Sequence, residues 1–291
     1  MSDDATGRFD FRRPAEGGWG QDILRALARL TRLPTGAETA PEVVARLSIE
    51  AQLRGLRAWP VAGALVGFLA GLALLATEIV GFSGFGSALV GLGVLAWLVR
   101  AEPDMALARF AHGQATGNDD TSRRAAMTET VGPMGLIVLF FVVGLKLAAL
   151  ASLSAPTGLL ALVVAVVAGR TAMVIAASRL RPLADLPAPS GDSRAEASSA
   201  SARPSLSAAA LAAGYARPTR EVITTATLLG AAIVLLMLGP LSGVLALSVA
   251  IIIGWLAIGQ ARNAIGGYNE TVLAAIAGLV EAAVLVSVVI L

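Results

Sequence analysis

An all-α integral membrane bundle, with about seven transmembrane helices and a cytoplasmic N-terminus, is the fold class this sequence predicts. Three observations point to it. The 291 residues are 56% hydrophobic and 14% charged, whereas soluble chains carry roughly 25% charge. The apolar residues are gathered into unbroken runs, most of them close to the ~20 residues that span hydrocarbon as a helix. The runs fall at 59–80, 85–99, 134–153, 156–177, 222–238, 241–258 and 272–291, the second being short. Finally, basic residues alternate between connections: nine Arg precede residue 59, four lie in 100–133, six in 178–221 and one in 259–271, while the connections at 81–84, 154–155 and 239–240 hold none. Cytoplasmic loops retain Lys and Arg, so this alternation fits seven spans with the C-terminus outside.

Taken in order, residues 1–20 are polar, mixed in charge and without an apolar run, and read as a flexible tail lacking a cleavable signal. Residues 21–58 read as interfacial amphipathic helices. In 22–33 the side chains of Ile23, Leu24, Leu27 and Leu30 share one helical face beside Arg25, Arg29 and Arg32. A second helical stretch at 42–57 leads to Trp59, a residue type that anchors at the headgroup level. Residues 59–291 then form a single transmembrane domain with cytoplasmic loops at 100–133, 178–221 and 259–271. The Ser-, Ala- and Pro-rich stretch 187–204 reads as disordered linker. Because every long connection lies on the cytoplasmic face, function is expected there.

Composition narrows the chemistry. There is no Cys, and His112 is the sole histidine, so disulfides, thiolate sites and histidine clusters are excluded. The 22 basic residues are 21 Arg and one Lys against 20 acids, which gives no ground for a nucleic-acid partner. Four ionisable residues fall inside apolar runs, where each is costly. Glu78, at the end of the first run, reaches interfacial water. Lys146 is expected to snorkel to the outer interface. Arg170 lies about two turns from the cytoplasmic end of its run and is a candidate phosphate ligand. Glu281 lies mid-span and must pair with another span, with Arg170 and Lys146 as the basic groups available.

Several stretches, in order, resemble adenosylcobinamide-GDP ribazoletransferases, also called cobalamin synthases. Thr31-Arg32-Leu33-Pro34 matches that family's T-R-L-P, and Trp59-Pro60-Val61-Ala62-Gly63 with Gly67 resembles its F-P-x-x-G-x-x-x-G. Gly169-Arg170-Thr171 resembles its S/G-R segment, and Ala202-Arg203-Pro204 stands in place of an A-R-x-x-G-L-G segment without the glycines. Gly266-Gly267-Tyr268-Asn269, then Leu273-Ala274-Ala275 and Glu281, resembles G-G-Y-N-G-D-x-L-G-A with its downstream Glu.

The resemblance implies a transferase that joins α-ribazole, or its 5′-phosphate, to adenosylcobinamide-GDP and releases GMP, in the last steps of cobalamin biosynthesis. It implies Mg²⁺ held by carboxylates from H-L-D-G-x-x-D-x-x-D-G after the second span and from a following D-S-R-x-G-x-x-G. Here Asp104 falls on the first aspartate, while the next two fall on Ala108 and Ala111, or on Arg109 and His112 if one residue is inserted. The downstream segment retains an acid as Glu129. The site so implied has Asp104 and Glu129 as catalytic and metal carboxylates, brought together at the cytoplasmic surface, with Arg170, Asn269 and Arg203 on substrate. Its setting would be the bilayer of a bacterial inner membrane, with other cobalamin-assembly proteins as partners. Two further readings stay open: a relative that has lost turnover and has a binding or structural role, and a transporter.

Overall fold

The computed structural model describes residues 18–33, 35, 53–116, 123, 126–127, 131–182 and 217–290. Readings that fall on the first 17 residues, most of 34–52, the 187–204 linker, Glu129 and Arg203 lie outside that set. In chain order the helices are α1 (Trp19–Leu30), α2 (Trp59–Ile79), α3 (Gly84–Leu98), α4 (Glu102–Thr116), α5 (Pro133–Ala151), α6 (Ala155–Arg179), α7 (Arg220–Leu238), α8 (Pro240–Ile265) and α9 (Glu270–Ile290), with a 3-10 turn at Leu56–Ala58 before α2. Among the described residues there is no strand, only an isolated bridge between Pro182 and Tyr268.

Local chemistry explains the ends. Helices α2, α5, α6 and α8 each begin with Pro in the first turn, where its missing N–H would have had no partner and its fixed φ is already helical. Ser83 caps α3 and Thr219 caps α7, each accepting a backbone N–H from the first turn. At the other end of α8, Gly266 takes the left-handed conformation, φ 79°, which only glycine adopts without steric penalty.

Packing is organised around α6, the most deeply buried of the spans, with α9 next. Gly63, Gly67 and Gly71 of α2 recur every fourth residue and so share one stripe. A Cβ on Gly67 would lie 2.7 Å from Val163 Cα and 2.8 Å from the Leu162 carbonyl oxygen, and one on Gly71 would lie 2.8 Å from Leu159 Cα. The stripe lets the two backbones touch, the usual way membrane helices associate when no water drives them together. Large apolar side chains point outward instead: Phe140, Phe141, Leu236, Trp255 and Ile290 are each more than two-thirds exposed, as suits lipid rather than water. Among the described residues six helices are long and apolar enough to cross a membrane, or seven if the bent pair of α3 and α4 is one span. The chain is a polytopic membrane protein.

The structure differs from the sequence reading between residues 100 and 133. Residues 102–116 are helical, and α4 is bent by 82° from α3. The bend is made by Arg100 (φ 59°) and Ala101 (φ 52°), consecutive non-glycine residues in the left-handed region, an arrangement of order 1–3 kcal/mol each that surrounding contacts must hold. Those contacts are visible: Arg32 N–H donates to the Leu98 carbonyl at 2.9 Å and the Arg100 guanidinium to the Thr31 carbonyl at 3.3 Å. Beyond the bend, Ala106 and Leu107 are buried with Ala274 and Ala275 of α9, and Phe110, Val138 and Val142 pack around them. Its run of small and apolar side chains is too short and too interrupted to register as a span, yet it is wide enough to bury one face against α5 and α9.

Candidate functional site

Four ionisable side chains from four helices meet inside the bundle. Lys146 of α5 is 2% exposed, and its ammonium donates to Asp104 Oδ1 of α4 at 2.7 Å and to Glu281 Oε2 of α9 at 3.4 Å. The other Glu281 oxygen, Oε1, is buried without a hydrogen-bond partner and lies 3.9 Å from Nη2 of Arg170 on α6. Arg170 Nη1 in turn lies 3.4 Å from Met173 Sδ. Two acids and two bases make a neutral set, the condition under which charges are tolerated away from water. Glycine makes room for it: a Cβ on Gly169 would sit 2.8 Å from Glu281 Cγ, and one on Gly63 2.9 Å from Arg170 Cγ.

A second polar layer lies at the arginine-rich end of the bundle. Asp22 is fully buried and receives both Nε and Nη2 of Arg57, at 3.0 and 2.8 Å, tying α1 to the 3-10 turn. The Arg57 guanidinium also stacks 4.4 Å from the Trp19 ring centroid, and that of Arg29 lies 5.5 Å from the Trp59 ring. Burial lowers the pKa of Arg29 below its usual value, opposed by the charges of Glu270 and Tyr268. Asn269 accepts the backbone N–H of Val272 at 2.9 Å and thereby caps the start of α9. Tyr268 N–H donates to the Arg181 carbonyl at 2.8 Å, and the Arg262 guanidinium to the Arg179 carbonyl at 3.3 Å. The G-G-Y-N turn is thus clasped to the end of α6.

Set against the expectations, the structure pairs Glu281 with both basic groups named for it, and Glu78 is exposed at the end of α2. Lys146 does not snorkel outward, because two carboxylates hold its head within the bundle. Arg170 does not climb to a surface but stays buried beside Glu281. Asp104 lies in the first turn of α4 rather than in the loop expected for it, and its carboxylate accepts from Lys146. Asn269 sits in a different place, at the start of α9. Lys146 was the residue missed as a site component, although it is the chain's sole lysine and sits in an apolar run, a position that calls for an acid. Among the described residues no three His, Cys, Asp or Glu side chains gather as a metal cage. With an ammonium already at 2.7 Å from Asp104, the described residues do not fit a protein-held Mg²⁺.

A family model described as cobalamin-5-phosphate synthase matches residues 22–289. An adenosylcobinamide-GDP ribazoletransferase of Allorhizobium ampelinum is 33% identical over 132 residues, 45% of this chain and 49% of that protein. Those of Brucella canis and Brucella suis are 29% identical over 158 residues, 53% of this chain and 59% of theirs. The alignments thus span only about half the length of these relatives. No solved structure matches. The matched residues 22–289 run from the buried Asp22 of α1 almost to the end of α9 and include all four members of the charged network, so the chain belongs to the cobalamin-5-phosphate synthase family.

Proposed function

We propose that this protein is a membrane ribazoletransferase that joins α-ribazole, or its 5′-phosphate, to adenosylcobinamide-GDP and releases GMP. The observation that carries the reading is the family match over residues 22–289, which reaches from α1 into the last turn of α9. In this reaction a ribazole hydroxyl attacks the phosphorus bearing the cobinamide, the bond to GMP breaks, and the hydroxyl proton leaves to a base. Charge grows on the phosphoryl oxygens and the leaving phosphate, so fixed guanidinium groups supply most of what a protein can contribute. The arginine-rich end of the bundle is the proposed substrate face, with Asn269 and Arg203 as substrate ligands and Glu129 as a catalytic carboxylate. Arg170 and Asp104 act on it through the buried network. Mg²⁺ would arrive on the substrate's diphosphate, since this ion commonly retains its waters and binds through phosphates with few protein ligands.

Purified full-length protein should release GMP from adenosylcobinamide-GDP when α-ribazole and Mg²⁺ are supplied together, and should release none without α-ribazole. A folded sample without turnover would leave the scaffold-only relative as the better reading, one that the commitment of Asp104 to Lys146 favours.

The proposed orientation places the arginine-rich end in the cytoplasm of a bacterial inner membrane. Reporter fusions after Ser154 and at the C-terminus should then read as external, and fusions near Gly117, Ser199 and Arg262 as cytoplasmic. An internal C-terminus would reverse it.

A further inference from the structure

We infer that the Lys146 ammonium occupies the place of a divalent cation between Asp104 and Glu281, so that these two acids hold no metal. Three features carry this. First, Lys146 reaches two carboxylates on two different helices, 42 and 135 residues away in sequence. Bridging acids from separate elements is what a bound divalent ion does. Second, the separations of 2.7 and 3.4 Å suit an ammonium donor, whereas Mg²⁺ requires oxygens at about 2.0–2.1 Å in near-octahedral order. Third, the charges already balance: Asp104 and Glu281 oppose Lys146 and Arg170. A divalent ion added among them would leave two uncompensated positive charges in a site whose basic and glutamate side chains are each 4% exposed or less, which is strongly unfavourable in a low-dielectric interior. Displacing Lys146 instead would send a lysine into lipid from a position only 2% exposed.

The consequence is a division of labour. The cluster ties α4, α5, α6 and α9 together, while any metal for the reaction comes in with the phosphates of the substrate. The inference does not depend on turnover, since its test omits substrate altogether.

The test titrates the full-length protein in detergent with Mn²⁺ and reads the free ion by electron paramagnetic resonance. Wild type, Asp104→Asn and Glu281→Gln should hold the same number of Mn²⁺ ions, whether that number is zero or set by sites elsewhere. Lys146→Met should gain one saturable site, and the added Glu281→Gln should remove it again. A wild-type site lost in Asp104→Asn or Glu281→Gln overturns the inference, as does a folded Lys146→Met that gains none. Should Lys146→Met fail to fold, thermal unfolding of wild type decides. The same Tm in chelator and in Mg²⁺ supports the inference, and a Tm raised by Mg²⁺ in wild type but unmoved in Asp104→Asn overturns it.

Discussion

Replacing Lys146 by methionine should destabilise the folded protein by about 3–5 kcal/mol, the range found when one partner of a buried ion pair is removed. The side chain that replaces it is of similar length and apolar, so little packing is lost. What changes is charge. Asp104 and Glu281 would then face each other, with Arg170 the basic partner left among the described residues, its guanidinium 3.9 Å from Glu281. The acids must then take up protons or draw in water, and either distorts the junction of α4, α5 and α9. Unfolding of the variant in detergent, followed by circular dichroism or by titration with a denaturing detergent, measures the loss. The double variant Lys146→Met with Glu281→Gln should recover a sizeable part of it, because removing the stranded charge lifts the penalty that the first change created. If Lys146→Met alone unfolds like wild type, the ammonium is not a structural bridge.

Gly67→Val should be nearly as damaging, at about 3 kcal/mol or somewhat more, the upper range for forcing extra atoms into a packed interface. Its neighbours across the α2–α6 contact are backbone atoms of Leu162 and Val163, so no side chain can rotate to make room. The helices would have to separate, and with them the contacts that hold Arg170 beside Gly63. Gly144→Val provides the control: it too is in a membrane helix, but nothing lies within 4 Å of its Cβ position, so the added side chain should enter lipid with little effect. Equal stability of the two variants, by the same unfolding measurement, would show that the glycine stripe is not a contact surface.

How much of this was legible in the sequence differs from element to element. Glu281 illustrates the readable part. A carboxylate mid-run in hydrocarbon has few ways to be tolerated, so its need for a basic partner, and the identity of the two candidates, followed from hydropathy and charge. The opposite case is Asp104. Motif alignment places it on a metal-ligand aspartate, but its partner is decided by where α4 lies, and α4 is amphipathic: Ala106 and Leu107 are buried on one side, while polar Arg109 and His112 interrupt the run. A window that averages hydropathy along the chain cancels those two faces. Lys146 was misplaced for a related reason, since snorkelling is the default for a lone lysine unless an acid 42 residues away is known to stand beside it.

By itself, then, the sequence determined the membrane-spanning all-α class, the limits of most spans, the alternation of basic and bare ends, and the kinship with a cobalamin-synthase family. These depend on transfer free energies and motif order, quantities summed along the chain. The tertiary structure alone decided that α3 breaks by 82° into α4, that glycines of α2 meet the backbone of α6, and that Lys146 neutralises two acids from distant helices. Such features depend on distances between segments far apart in sequence, and a buried charge takes whichever partner the packing brings within reach.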